Sequence, residues 1–192
     1  MIERINGSTF KQMVLFGAAC ITNEKQAIND LNVFPVPDGD TGTNMSLSIQ
    51  TAVAELKKHE PATVEEAAKV TASGLLRGAR GNSGVILSLL FRGMSKIFKG
   101  MTEADGIALA DAMNEGVTTA YGAVMKPAEG TVLTVSRLAA QRAIEASEEN
   151  NCAEFVLEEA IRAGYETLAE TIEMNPVLKK AGVVDAGGKG YL

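Results

Sequence analysis

An all-helical domain is what this sequence predicts, and three observations carry the expectation. Apolar residues recur at spacings of three and four rather than two. The 46% hydrophobic content is rich in Ala, Leu, Val and Met but holds no Trp, three Tyr and six Phe, which suits closely packed helices better than a sheet. Stretches containing Gly, Pro, Asn and Asp interrupt the periodic runs at intervals typical of helix lengths.

In chain order, a first helix starts after Asn6-Gly7-Ser8 and turns Phe10, Met13, Val14, Phe16 and Gly17 inward. A break at Thr22-Asn23 separates it from a second piece ending near Leu31. From Asn32 to Asn44, Pro35, Pro37, Gly39 and Gly42 make a loop. A helix then runs to about Lys58. Thr63-Val-Glu-Glu66 is a capping box that opens the next, which ends near Arg77 or Gly78. A polar loop, Gly78 to Gly84, leads into a helix with Val85, Ile86, Leu89, Leu90 and Gly93 on one face. Thr102, with Asp105 three residues on, caps a long helix to about Val124.

Lys126-Pro-Ala-Glu-Gly130 is another break, after which Thr131 begins a helix carrying Val132, Val135, Leu138 and Ala139. Leu157, Ile161, Gly164, Leu168 and Ile172 form the stripe of the last long helix. Pro176 stops it and opens a short helix to Ala181. Val183 to Leu192 reads as a Gly-rich connector, so residues 1–192 are expected to be the N-terminal domain of a longer chain. The sum is about eight helices, no strand and no repeat: a largely antiparallel bundle.

Length and charge narrow the function. A 192-residue chain is one domain, long enough to remove roughly 70% of its unfolded surface from water. Net charge is -6 with no basic tract, which argues against nucleic acid or anionic membrane as partners. Cys20 and Cys152, in apolar helical contexts without CxxC spacing, read as buried thiols of a reduced cytoplasmic protein. No signal peptide is apparent, and no apolar run approaches the roughly 20 residues of a membrane span.

The chemistry lies in the polar loops, because each leads into a helix whose first amides and dipole attract anions. Asp38 and Asp40 flank Gly39 and are followed by Thr41, Thr43 and Asn44, a run of hard oxygen ligands that suits magnesium. A surface turn explains Asp38-Gly39 alone but not that density of oxygens. Gly81-Asn82-Ser83-Gly84 has the small residues of a phosphate cradle, though a capped helix–helix turn fits it too. It lacks the GxxxxGK[ST] pattern of a P-loop. Gly130-Thr131 and Asp185-Ala-Gly187-Gly188 are weaker signals of the same kind. Arg77 and Arg80 border the second loop as candidate phosphate partners or ordinary ion pairs. The single histidine, His59, sits at a helix end and leaves no multi-His zinc site and no Ser-His-Asp arrangement.

Taken together, Asn32-Val-Phe-Pro-Val-Pro-Asp-Gly-Asp-Thr-Gly-Thr-Asn-Met45, Gly78 to Gly84, Gly130-Thr131 and Val184 to Gly188 resemble the nucleotide-binding domain of the dihydroxyacetone kinase family. Within that family the first motif looks most like the fatty acid kinase branch. The resemblance implies a barrel of eight antiparallel helices with ATP and two magnesium ions at one rim. Asp38 and Asp40 would ligate metal, and the third metal-binding carboxylate falls near Asn32, an amide here. Thr43, Asn44, Gly81, Asn82, Ser83 and Gly84 would face the phosphates or metals. Thr131, Leu133, Asp185 and Gly187 would lie near the nucleoside. It also implies a fatty-acid-binding partner protein, an acyl phosphate product, and little turnover by this chain alone; a homodimer through the full-length protein is compatible. Three alternatives stay open: a dihydroxyacetone kinase subunit, whose acidic motif usually has a His where Thr41 stands; a nucleotide-binding sensor or scaffold that transfers nothing; and a purely structural helical module in which Asp38 and Asp40 are ordinary turn residues.

Overall fold

The computed structural model describes all 192 residues. It contains nine helices: α1 Gly7–Asp30, α2 Thr41–Leu56, α3 Val64–Gly78, α4 Gly81–Ile97, α5 Gly106–Ala123, α6 Val132–Glu149, α7 Ala153–Met174, α8 Pro176–Ala181 and α9 Ala186–Tyr191. Short-range signals set most boundaries. Asn6 caps α1 by accepting the Thr9 amide, and the Thr63–Glu66 capping box opens α3. Pro176 takes the first position of α8, and Gly182, at φ 69°, ends it.

Four sequence expectations are corrected. Thr22-Asn23 does not break α1, because Thr22 Oγ1 donates back to the Ala18 carbonyl and the helix runs through. Asp105 itself, accepting the Ala108 amide at 3.0 Å, caps α5, where Thr102 was expected. Thr41 to Asn44 and Gly81 to Gly84 are not loops but the first turns of α2 and α4. The Gly-rich end folds as α9, held by Asp185 at its N-cap, so the count is nine rather than eight. Two side chains also differ in burial: Phe16 is 72% exposed, and Cys20 is exposed whereas Cys152 is buried.

Each long helix packs on its sequence neighbours and runs back along them. Gly74 lies against Ala52, for instance, and Gly78 against Thr51 and Ser48, so α3 retraces α2. The α4–α5 crossing is especially close. A Cβ at Gly93 would sit 2.4 Å from the Glu115 carbonyl oxygen, and one at Gly116 2.6 Å from that of Leu90. One contiguous core fills the interior, with Phe98, Met45, Leu56, Leu75 and Leu109 almost fully buried and Phe10 meeting Phe98 edge to face. The small α9 tucks among α1, α2 and α6, its Gly190 against Met45 and Ile28. No helix is long and apolar enough to cross a membrane.

Antiparallel alternation has a direct consequence. The N-termini of α2, α4 and α6 emerge at the end of the bundle where α1, α3, α5 and α7 finish. The positive ends of three helix dipoles therefore share one rim.

Candidate nucleotide site at the bundle rim

The acidic loop between α1 and α2 is shaped from below by two asparagines one turn apart on α1's C-terminal side. Asn32 is buried at 7% exposure, and its Oδ1 accepts the amides of Asp40 (3.0 Å) and Thr41 (3.2 Å), while its Nδ2 donates to the Val36 carbonyl. Asn29 accepts the Thr43 amide on Oδ1 and donates from Nδ2 to Thr43 Oγ1, each at 3.0 Å. Between these anchors the loop passes through a cis Phe34–Pro35 peptide and Gly39 at φ 66°. Asp38 is exposed and Asp40 half-buried, and neither carboxylate is taken up by a hydrogen bond or ion pair within the protein.

That arrangement tests whether magnesium suits the residues present. No three His, Cys, Asp or Glu side chains converge as a self-sufficient metal cage. Two free carboxylates beside helix N-termini suit an ion that keeps water and substrate phosphates among its ligands. Asn32 does not fit the direct-ligand role the resemblance implied, because both lone pairs of its oxygen already accept backbone amides.

The second motif stands next to the first. Gly81, at φ 59°, lies against the Asn44 side chain, and a Cβ there would approach Asn44 Nδ2 to 2.4 Å. Ser48, one turn further along α2, accepts the Arg80 amide at 3.0 Å, and Gly84 rests on the Ser48 hydroxyl. The amides of Gly81, Asn82 and Ser83 find no acceptor in the protein; pairing resumes at Gly84, which donates to the Arg80 carbonyl. Three successive free amides thus open α4, which meets α2 at Asn44, one turn in from Asp40. By contrast α2's own start is largely satisfied, since the amides of Asp40, Thr41 and Thr43 all bond to asparagines.

Asp185 and α6 form the other side of the rim. Asp185 is 5% exposed; its Oδ2 accepts the Gly188 amide at 2.7 Å and its own amide donates to Thr171 Oγ1. Burial pushes its carboxyl up to about 6, opposed by hydrogen bonds from the Gly188 and Val132 amides. One carboxylate therefore caps α9 beside the start of α6. Thr131 donates to the Ala128 carbonyl and Gly187 lies against Val132, so Gly130, Thr131, Asp185 and Gly187 stand on one side of the rim. Leu133 brings only its backbone amide there, because its side chain is 3% exposed within the core.

The two arginines stay with local partners: Arg77 faces Glu55 at 3.6 Å across solvent, and Arg80 bonds the Ala79 carbonyl. Two surface concavities, of about 320 Å³ around His59, Glu60 and Lys69 and about 410 Å³ around Met1, Arg4 and Asp105, are at the opposite end of the bundle and contain none of these residues. The free carboxylates and amides mark the rim. Sequence reasoning missed Asn29 and Ser48. The signal for Asn29 was present, an Asn-x-x-Asn pair closing a helix before a Gly-rich loop.

A model of the DAK2 domain matches residues 35–192, from the acidic loop through α9. The chain belongs to the DAK2 domain family. This DAK2 domain is thereby a nucleotide-binding unit of the dihydroxyacetone kinase family, which is associated with phosphotransferase activity. It is 48% identical over 193 residues to an uncharacterized protein of Staphylococcus aureus (strain USA300), and 46% identical over 192 residues to one of Staphylococcus haemolyticus (strain JCSC1435). Both alignments cover all of the DAK2 domain but 35% of the relative, so the chain spans about a third of the length of the curated relatives it matches.

Proposed function

We propose that this DAK2 domain binds magnesium ATP at the rim and is the nucleotide-binding part of a fatty acid kinase, an N-terminal domain of a longer protein. The reading is carried by two uncommitted carboxylates, Asp38 and Asp40, at the same rim as three free amides at Gly81, Asn82 and Ser83, with Gly81 against Asn44 of the helix that follows the acidic loop. The amides and the α4 dipole would hold phosphate oxygens. Asp38 and Asp40 would hold two magnesium ions, which when bound neutralise phosphate charge. Asn44 would sit between the two groups, and Thr131, Asp185 and Gly187 would border the nucleoside, with Asn32 shaping the acidic loop.

The acceptor is a fatty acid carboxylate presented by a separate lipid-binding protein. Its oxygen forms the new bond to the γ-phosphorus as the bond to the bridging oxygen breaks, leaving acyl phosphate and ADP. A carboxylate is already ionised at neutral pH, so no general base is required, and no side chain at the rim is assigned as one. The protein's contribution is alignment and charge stabilisation. Thr41, where the dihydroxyacetone kinase branch usually has His, favours a carboxylate acceptor over a hydroxyl that would need a base.

The test is phosphorus NMR of the full-length protein with ATP, magnesium and a fatty-acid-loaded carrier protein, run beside dihydroxyacetone as competing acceptor. Acyl phosphate formation supports the reading. Dihydroxyacetone phosphate instead would move the protein to the sibling branch, and ATP binding with no transfer would make it a sensor.

A further inference from the structure

Asn29 does more than close a helix. Its amide has two orientations in principle, and the Thr43 backbone decides between them: an N–H can only donate, so the atom 3.0 Å from it is the oxygen. The Asn29 Nδ2 then faces Thr43 Oγ1, also at 3.0 Å, and donates to it. The Thr43 hydroxyl is thereby an acceptor on its protein side. Nor does it bond back to the carbonyl four residues earlier, as the hydroxyls of Ser48 and Thr51 on the same helix do. Its proton has no acceptor in the protein and remains free for one outside it.

We infer that Asn29 is a positioning residue: it fixes the Thr43 hydroxyl as an outward hydrogen-bond donor to a phosphate oxygen of the bound nucleotide. The inference rests on the proposed magnesium ATP site. A hydroxyl able to rotate gives up part of its donation to competing acceptors, whereas one already accepting from an amide is pre-organised toward an anion.

Asn29→Asp separates this role from simple support. The Thr43 amide keeps its acceptor, but the atom facing the hydroxyl becomes an oxygen, so the hydroxyl proton turns inward. Calorimetric titration with ATP and with adenosine, each in magnesium, is run on wild type, N29D, T43V and the double variant. N29D and T43V are each expected to weaken ATP binding roughly tenfold and leave adenosine unaffected. N29D should weaken ATP clearly less in the T43V background, because the hydroxyl it misdirects is gone and only its added charge remains. Asn29→Gln, which displaces the amide by one methylene, is expected to lose ATP affinity similarly and serves if N29D does not fold. Strictly additive losses, or wild-type affinity in N29D or N29Q, would overturn the inference. Failure of the wild type to bind ATP at all would instead remove the proposed site beneath it.

Discussion

Two aspartates on opposite sides of one rim show how placement decides what a carboxylate is for. Asp40 is at the start of α2, yet it does not cap that helix; Asn32 accepts the amides there and leaves the Asp40 carboxylate uncommitted toward solvent. Asp185 is at the start of α9, almost completely buried, and accepts the Gly188 amide of that helix. Both stand at the N-cap of a helix with glycine within two residues, Gly39 and Gly42 for Asp40 and Gly187 for Asp185. The difference is what already satisfies the helix end. Where an amide side chain does the capping, the carboxylate is free to carry charge to a ligand. Where the carboxylate caps, burial raises its proton affinity and makes it structural.

The largest expected effect separates those roles. Asp38→Ala and Asp40→Ala should each weaken magnesium-dependent ATP binding on the order of 30- to 150-fold, the loss of a charged partner. Their melting temperatures should stay near wild type, because neither carboxylate bonds within the fold. Calorimetry beside a thermal melt reads both.

Asp185 should behave oppositely. Its folded carboxyl titrates near 6 against an ordinary 3.8, so the protonated form is the better tolerated one. The stability this contributes is complete below about pH 4 and is lost as pH rises through about 6, a difference of about 3 kcal/mol. Asp185→Asn keeps an oxygen for the Gly188 amide without the charge. It is expected to raise stability at pH 7, leave it unchanged near pH 4, and flatten the pH dependence between; chemical denaturation at several pH values measures this.

Asn32→Ala sharpens the comparison from the other side. The Asp40 and Thr41 amides lose their acceptor, with an expected stability loss of about 1–3 kcal/mol and weaker magnesium affinity as the loop slackens. If magnesium affinity instead held at wild-type level, the loop would not depend on this anchor. The smallest effect belongs to Arg77→Ala. Its ion pair with Glu55 is solvent-exposed, so stability should change by under about 1 kcal/mol and ATP affinity not at all.

Much of this was legible in the chain itself. Helical periodicity and local stop signals such as Thr63–Glu66 and Pro176 act over a few residues, so they survive reading one residue at a time. The same holds for the oxygen-rich run from Asp38 to Asn44. What misled were polar and glycine-rich turns: Gly81 to Gly84 and Ala186 to Tyr191 look like loops by composition but are helical in the fold. Gly81 and Gly84 serve the approach of α4 to Asn44 and Ser48, and Gly190 that of α9 to Met45. Such contacts have no local signature.

The sequence by itself determined that the chain is helical, where its anion-seeking turns lie, and which carboxylates stand among them. Only the tertiary structure decided which donors and acceptors remain free. Antiparallel packing brings the starts of α2, α4 and α6 to one end, and Asn29 of α1 and Asn32 just beyond it reach across to occupy α2's amides while α4's stay open. A hydrogen-bonding group can be satisfied by any partner the fold places within about 3 Å, however distant in sequence. Availability is therefore a property of the assembled molecule and not of the residue.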